Sequence, residues 1–199
     1  MERDRDTETL ANLPLLLFDS LQEWEGWLDA HHAQPQGVWL KIAKKSAEIP
    51  SVSYADALDA ALCYGWIDGQ KKPYDSAFWL QKFTPRRPKS GWSKINTGKA
   101  IRLIEAGTMT PAGLREIDAA KQDGRWDAAY ESQSNLTIPD DFGGELDRHP
   151  QAKAFFDTLN KVNRYAMCYR IATAKKPETR QARIDKFIAM LAKGEKIYP

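Results

Sequence analysis

The pattern of apolar and polar positions divides the chain into a front part with strands and a longer part with helices. Between residues 13 and 83, short apolar or alternating stretches are bounded by turn-forming residues, which is typical of β-strands. The predicted strands are LPLLLF at 13–18, VWLKIA at 38–43, WIDGQKK at 66–72 and AFWLQKF at 77–83. Together these stretches predict a small sheet of about four strands.

Capping residues mark where the predicted helices begin and end. Ser20 and Ser53 each precede a helical apolar pattern and are followed three positions later by an acidic residue, as in a capping box. Ser93 or Trp92 begins a further helix, and beyond it the strand signals disappear. Glycines after the last periodic residue predict the ends of four helices, namely Gly65, Gly107, Gly124 and Gly194.

This order of elements predicts an α+β fold. We expect a small, mainly antiparallel sheet within residues 13–83 that is covered by helices and followed by an all-helical C-terminal part. The corresponding domains would be a disordered tail at 1–12, an α+β domain at 13–135 and a helical module at 136–199 packed on it. One continuous domain is the alternative.

The composition is that of a globular protein. Hydrophobic residues make up 42% of the 199 residues and charged residues 28%. No apolar run approaches the roughly 20 residues of a membrane-spanning helix. The first ten residues, MERDRDTETL, alternate charges and have no adjacent apolar segment of the kind found in signal peptides, so we expect a cytoplasmic protein. Cys63 and Cys168 fit inert, buried thiols in that compartment.

The net charge of +2 conceals three blocks of charge. Residues 66–94 carry a net +5, residues 105–147 a net −7 and residues 161–196 a net +7. Such blocks indicate either an anionic partner or charge matching within the fold. The second interpretation explains the blocks without any ligand.

Familiar catalytic and metal-binding patterns are missing from the sequence. His31, His32 and His149 have no partners at metal-ligand spacing, and no Gly-x-Ser-x-Gly, Walker A or Gly-x-Gly-x-x-Gly motif occurs. We therefore expect no metal and no cofactor. A pair of carboxylates distant in sequence stays possible as a hydrolytic site, although nothing in the sequence supports it.

Aromatic and cationic residues interleave between residues 66 and 96. Lysine and arginine bind phosphates or carboxylates, and aromatic faces stack on rings or cations. Pro85 and Pro88 flank two arginines and would hold their guanidinium groups with little loss of entropy. The candidate ligand-binding residues are Trp66, Asp68, Lys71, Arg86, Arg87, Trp92, Lys94 and Asn96. The plainer interpretation places the strand aromatics in the core and pairs Asp68 with one of the arginines.

Three functions fit this constellation, and binding of a small anionic ligand or a protein partner ranks first. The second is an enzyme with Asp68 as acid or base and with Arg86, Arg87 or Lys94 stabilising an anion. The third, nucleic-acid binding, ranks lower because the net charge is modest and no recognition motif occurs. The oligomeric state is left open.

Longer motifs resemble a known family. They are DAALCYGWIDGQKK at 59–72, QKFTPRRPKSGWSKIN at 81–96, GTMTPAGLREIDAAKQDGRW at 107–126 and IATAKKPETRQARIDKFIAML at 171–191. These stretches resemble the bacterial YdeI/OmpD-associated, or bacteriocin-protection, proteins over nearly the whole chain from about residue 15. The C-terminal helices at about 136–194 resemble the module by which that family is separately recognised. The resemblance implies an accessory role in resistance to bacteriocins or antimicrobial peptides, and it brings no catalytic residues.

Overall fold

The sheet is the organising element of the front part of the chain. The structure, a computed structural model, describes residues 8–131 and 137–199. Five strands occur in these residues: β1 (Thr9–Leu10), β2 (Leu13–Leu16), β3 (Val38–Ala43), β4 (Trp66–Pro73) and β5 (Phe78–Pro85). Their order across the sheet is β1-β2-β3-β5-β4, and only the β2–β3 pair is parallel. The mainly antiparallel sheet is confirmed, with one strand more than predicted.

The additional strand, β1, lies inside the segment that was predicted to be a disordered tail. Ala11 and Asn12, which join β1 to β2, both have positive φ angles, of 54° and 62°, as in the tight turns of two-residue hairpins. Glu8 accepts hydrogen bonds of 2.5 Å from Lys41 Nζ and from the Tyr74 hydroxyl, which lower the pKa of its carboxyl group. Residues 8–12 are therefore fixed by side-chain contacts as well as by pairing. Residues 1–7 of the predicted tail lie outside the described residues.

Eight α-helices surround or follow the sheet in the described residues, together with one short 3₁₀ turn at Lys45–Ala47. The helices are α1 (Leu21–His31), α2 (Tyr54–Cys63), α3 (Lys94–Glu105), α4 (Pro111–Gln122), α5 (Asp140–Arg148), α6 (Pro150–Thr158), α7 (Lys161–Ala172) and α8 (Pro177–Ala192). Ser20, Ser53 and Ser93 each accept a hydrogen bond from the backbone N–H three residues on, which confirms the predicted caps. The four predicted C-terminal glycines all have positive φ angles.

The two faces of the sheet carry different apolar clusters. On one face Val38, Leu40 and Phe83 join α1 and α2 in the main core, which is lined by fully buried tryptophans. On the other face Trp39 packs with Leu80 and residues of β2. Trp39 is only 2% exposed on this face because neighbouring side chains cover it.

Contacts within the chain define two compact units. The first ends at Ala129 and contains the sheet and α1–α4, and the second begins at Tyr130 and contains α5–α8. The second unit has a core of its own, with Phe142, Phe156 and Phe187 among its buried residues. All seven tryptophans lie between residues 24 and 126, hence in the first unit. The predicted boundary at residues 135–136 stays a prediction.

None of the helices in the described residues is long and apolar enough to cross a bilayer.

Candidate functional site

The candidate residues begin on β4, whose pairing with β5 is interrupted by a bulge. Asp68 lies opposite Phe83 and Lys71 lies opposite Gln81, so Gly69 and Gln70 together face a single residue of β5. The buried Gln81 side chain stabilises the bulge, because its amide donates to the carbonyl oxygens of Gly69 and Gln70 at 3.0 and 3.3 Å. With regular pairing Lys71 would face the opposite side of the sheet. The bulge therefore places Lys71 on the same face as Gln81.

Four of the eight candidates are buried: Arg86, Trp66, Trp92 and Asn96. Trp66 is fully buried, and its indole N–H donates to the carbonyl oxygen of His32 at 2.9 Å. Trp92 is 2% exposed and packs against Trp126, with 4.9 Å between the ring centroids. Asn96 is buried in the first turn of α3. The burial of Trp66 agrees with the plainer interpretation, which places the strand aromatics in the core.

The two adjacent arginines point to different environments. Arg86 is 6% exposed, and its guanidinium lies over Trp92, with 3.4 Å from its central carbon to the ring centroid. Its Nη1 donates to the carbonyl oxygen of Gly91 at 3.2 Å. Arg87 is exposed on a turn that is closed by a 3.0 Å hydrogen bond from its backbone N–H to Ser90 Oγ. A ligand at the surface can reach Arg87, whereas Arg86 stabilises the segment from inside.

Asp68 pairs with neither arginine. Its carboxylate accepts a 2.7 Å hydrogen bond from the hydroxyl of Tyr54, the first residue of α2. Burial and the Asp68 charge raise the pKa of Tyr54. The predicted pairing with an arginine is wrong because the Ser53 cap fixes the start of α2 beside β4, where Tyr54 reaches the carboxylate first.

The enzyme hypothesis requires Asp68 to lie beside the cations that would stabilise an anion, and the structure does not bring these residues into contact. Asp68 makes no hydrogen bond or ion pair with Arg86, Arg87 or Lys94 in the described part of the chain. Lys94 lies exposed at the start of α3. The described residues also contain no group of three or more His, Cys, Asp or Glu side chains that could hold a metal ion.

Three lysines of the β4–β5 hairpin place their ammonium groups on aromatic rings; Lys71 and Lys72 are exposed, and Lys82 is half-buried. Lys71 Nζ is 4.1 Å from the ring centroid of Trp79, whereas Lys72 and Lys82 place their ammonium groups 5.0 and 5.9 Å from the centroid of Trp39. These distances lie within the roughly 6 Å range of cation–π attraction. We call Lys71, Lys72 and Lys82 the hairpin lysines. Lys72 and Lys82 share the Trp39 face of the sheet, and Lys71 lies on the opposite face beside Trp79, across the edge strand β4.

None of the hairpin lysines forms an ion pair with a carboxylate among residues 8–131 and 137–199. Their positive charge is therefore held in place by rings without being neutralised there. Sequence reasoning included Lys71 among the candidates and omitted Trp39, Lys72 and Lys82 from them. The sequence signal for this surface is Trp39, because alternation along β3 places it on the face opposite the main core.

The two cysteines lack the setting of reactive thiols. Cys63 and Cys168 are both free and buried. Burial raises the pKa of Cys63, and it raises the pKa of Cys168 to about 11. Thiolates are the reactive form, so neither residue is poised as a nucleophile near neutral pH.

Two parts of the chain match two different family models. Residues 135–194 match the family model described as "Bacteriocin-protection, YdeI or OmpD-Associated", which confirms the predicted family for the C-terminal part and associates the chain with bacteriocin protection in general. The predicted resemblance extended over nearly the whole chain, whereas residues 16–116 match a different model, the domain of unknown function DUF8412. Searches of curated proteins and of solved structures found no match. Because the second model covers half of the chain, the protein belongs to the DUF8412 family.

Proposed function

We propose that this protein is an accessory binding protein in bacterial protection against bacteriocins, and that its hairpin lysines, which lie on the two faces of the sheet at the edge strand β4, hold an anionic ligand or partner. The family match over residues 135–194 supports the biological setting. One observation carries the binding role: Lys71, Lys72 and Lys82 lie on aromatic rings and have no carboxylate partner in the described residues. Arg87 and Lys94 extend the cationic surface along the chain.

Fixed cations favour anions for two reasons. Charge-assisted hydrogen bonds from ammonium groups to carboxylate or phosphate oxygens are about twice as strong as neutral ones. An aromatic ring beneath a lysine restricts the side chain before the ligand arrives, so less conformational entropy is lost on binding. An unpaired lysine also needs no internal ion pair to be broken first.

Charge reversal of the hairpin lysines tests the binding role. In full-length protein we expect Lys71→Glu, Lys72→Glu and Lys82→Glu together to weaken binding to poly-glutamate and to inorganic polyphosphate at least about tenfold, which corresponds to about 1.4 kcal/mol. Isothermal titration calorimetry at low and at physiological ionic strength measures this change, since screening weakens exposed charge interactions.

The control variant makes the same change in net charge elsewhere. Lys186→Glu, Lys193→Glu and Lys196→Glu alter exposed lysines at and beyond α8. Equal losses of affinity in both triple variants would show that only net charge matters and would contradict the proposal. A wild-type protein that binds neither polyanion would contradict it as well. Duplex DNA serves as a third probe, and binding to it as tight as to poly-glutamate would favour the nucleic-acid alternative.

Survival of a bacteriocin-sensitive bacterium tests the biological setting. Expression of the wild-type protein should raise survival in the presence of the bacteriocin, and the hairpin variant should lose this effect while the control variant keeps it. If the wild-type protein gives no protection, the accessory role is contradicted, whereas the result of the binding experiment is unaffected.

A further inference from the structure

The helical unit contains a cleft that lies outside the hairpin. Its volume is about 480 Å³, and it is lined by Val162, Tyr165, Ala166, Tyr169, Arg170 and Tyr198. This volume falls within the roughly 300–1,000 Å³ of small-molecule sites. The first four of these residues share one face of α7, because they follow one another at helical spacing. The cleft is therefore a groove along α7 with Tyr198 and Arg170 at its border.

Buried contacts fix the aromatic walls of this cleft. The side chain of Asn163, only 1% exposed, accepts from the backbone N–H of Tyr198 at 2.9 Å and donates to its carbonyl oxygen at 3.2 Å. Tyr165 and Tyr169 lie nearly parallel, with 5.6 Å between ring centroids, and Tyr130 contacts Tyr169 edge-on at 5.0 Å. The rings are thus positioned before any ligand binds.

The phenol of Tyr165 acts as a neutral donor in this arrangement. Its hydroxyl donates to the carbonyl oxygen of Glu131 at 3.2 Å. Burial and the neighbouring tyrosines raise the pKa of Tyr165 to about 12, so the group carries no charge near neutral pH. None of the described residues that line the cleft is acidic.

A positive charge stands at the border of the cleft. Arg170 is exposed, donates from Nη2 to the Tyr198 hydroxyl at 3.3 Å and lies 6.0 Å from the centroid of that ring. Arg183 donates to the carbonyl oxygen of Arg170. In the part of the chain that the structure describes, neither arginine forms an ion pair with a carboxylate. Residues 161–196 as a whole carry a net +7.

We propose that this cleft binds a small planar organic anion, with its ring against Tyr169 and Tyr198 and its anionic group on Arg170. Flat rings match the tyrosine walls, which favour stacking or edge contacts over branched aliphatic groups. The guanidinium presents a planar fork of donors that suits a carboxylate, sulfonate or phosphate. This inference is independent of the hairpin lysines, which lie in the other unit.

Fluorescence of 8-anilino-1-naphthalenesulfonate with the full-length protein tests this proposal, and N-phenyl-1-naphthylamine serves as the same ring system without the sulfonate. We expect saturable binding of the sulfonate, and weaker binding of the neutral compound. The variant Arg170→Gln should weaken binding of the sulfonate about tenfold and leave binding of the neutral compound unchanged. Tyr198→Ala should weaken binding of both, while its backbone can keep the bonds to Asn163.

Arg148→Gln is the matched control, because Arg148 is an exposed arginine of the same unit that lies outside the cleft. Displacement of the probe by AMP indicates a phosphate-bearing ligand, and displacement by 2-naphthoate indicates a carboxylate-bearing one. The proposal is overturned if the sulfonate probe does not bind saturably, or if the neutral compound binds as tightly as the sulfonate. It is also overturned if neither competitor displaces the probe, or if Arg170→Gln binds the probe as tightly as Arg148→Gln does. Circular dichroism of each variant establishes that it is folded.

Discussion

Gly98 and Gly113 occupy interior positions of α3 and α4 and differ in the space around their α-carbons. A Cβ atom on Gly98 would meet nothing within 4 Å. A Cβ atom on Gly113 would lie 2.8 Å from the carbonyl oxygen of Leu62 and closer still to that of Cys63. Glycine at the second position is therefore required by the close approach of α4 to the end of α2, whereas at the first it only lowers helix stability.

The same substitution should have opposite effects at these two glycines. We expect Gly98→Ala to raise the free energy of unfolding by up to about 1 kcal/mol, because alanine loses less backbone entropy in a helix. Gly113→Ala should lower it by about 1–3 kcal/mol, as overpacking typically does. Urea unfolding followed by far-UV circular dichroism measures both. Similar changes for the two variants would contradict the steric role assigned to the close approach of α4 to α2.

At the same scale, the burial of single charged residues was the hardest feature to predict. Arg86 lies between prolines in a polar segment, and no local pattern marks it as buried. Its burial depends on Trp92, six residues later, which offers a ring face to the guanidinium. Asp68 was likewise recognised as a candidate, although its partner Tyr54 comes from a different element. Sequence position identifies such residues but does not reveal their tertiary partners.

Among the elements, Arg180 joins three helices of the second unit. From α8 it donates two hydrogen bonds to the Asp141 carboxylate of α5, at 2.6 and 2.8 Å, and a third to the carbonyl oxygen of Ile171 on α7 at 2.9 Å. A bidentate arginine–carboxylate pair has better geometry than most surface ion pairs. This pair also connects the acidic block of the sequence to the basic one.

The Arg180–Asp141 pair should make stability depend on pH. Arg180 holds the pKa of the Asp141 carboxyl below its ordinary 3.8, so the pair stabilises the fold fully above that value and its contribution disappears as the pH falls through the lowered pKa. We expect Asp141→Asn to lower the free energy of unfolding at pH 7 by at most about 1 kcal/mol, since the group is partly exposed. Thermal unfolding of the variant and the wild type across acidic pH should show this difference vanishing.

Asp147→Asn is the control for that measurement. Asp147 pairs with Lys153 on the surface of the same unit, and both side chains are more than half exposed. Its replacement should leave stability unchanged at every pH. If Asp147→Asn lowered stability as much as Asp141→Asn, the loss of stability would follow from removing any exposed carboxylate and would not be specific to the Arg180–Asp141 pair.

Elements with local signals were predicted well, and elements without them were not. Each of the confirmed serine caps consists of the serine hydroxyl and the backbone N–H three residues on, so the sequence contains the whole interaction. The strand β1 has two residues, too few for any alternation to be visible. The bulge in β4 depends on Gln81 from the neighbouring strand, and therefore on the register of the sheet.

The whole chain combines two units that each have a buried core. The order of predicted elements was sufficient for the α+β class, because strands cluster before residue 85 and only helices follow. The join between the units was harder to place. The boundary at residues 135–136 stays a prediction, and Tyr130 and Glu131, which contact α7, belong to the helical unit.

We therefore propose that residues 130–199 fold by themselves and that the first residues of this range stabilise the folded unit. A fragment of residues 130–199 should show a helical circular dichroism spectrum and a cooperative thermal transition. A fragment of residues 136–199 should be less stable by about 1–2 kcal/mol, because it lacks the Tyr130 ring contact and the acceptor for Tyr165. Equal stability of the two fragments would contradict the role of Tyr130, and an unfolded longer fragment would contradict the independence of the unit.

The confinement of all seven tryptophans to residues 24–126 has a spectroscopic consequence. Indole emission reports on the α+β unit alone, while the helical unit contributes four of the seven tyrosines and no indole. Selective excitation of tryptophan should therefore follow the unfolding of one half of the protein against a silent background from the other. Far-UV circular dichroism, which sees the helices of both halves, supplies the complementary signal. A single unlabelled sample can thus reveal whether the two halves unfold together or in succession.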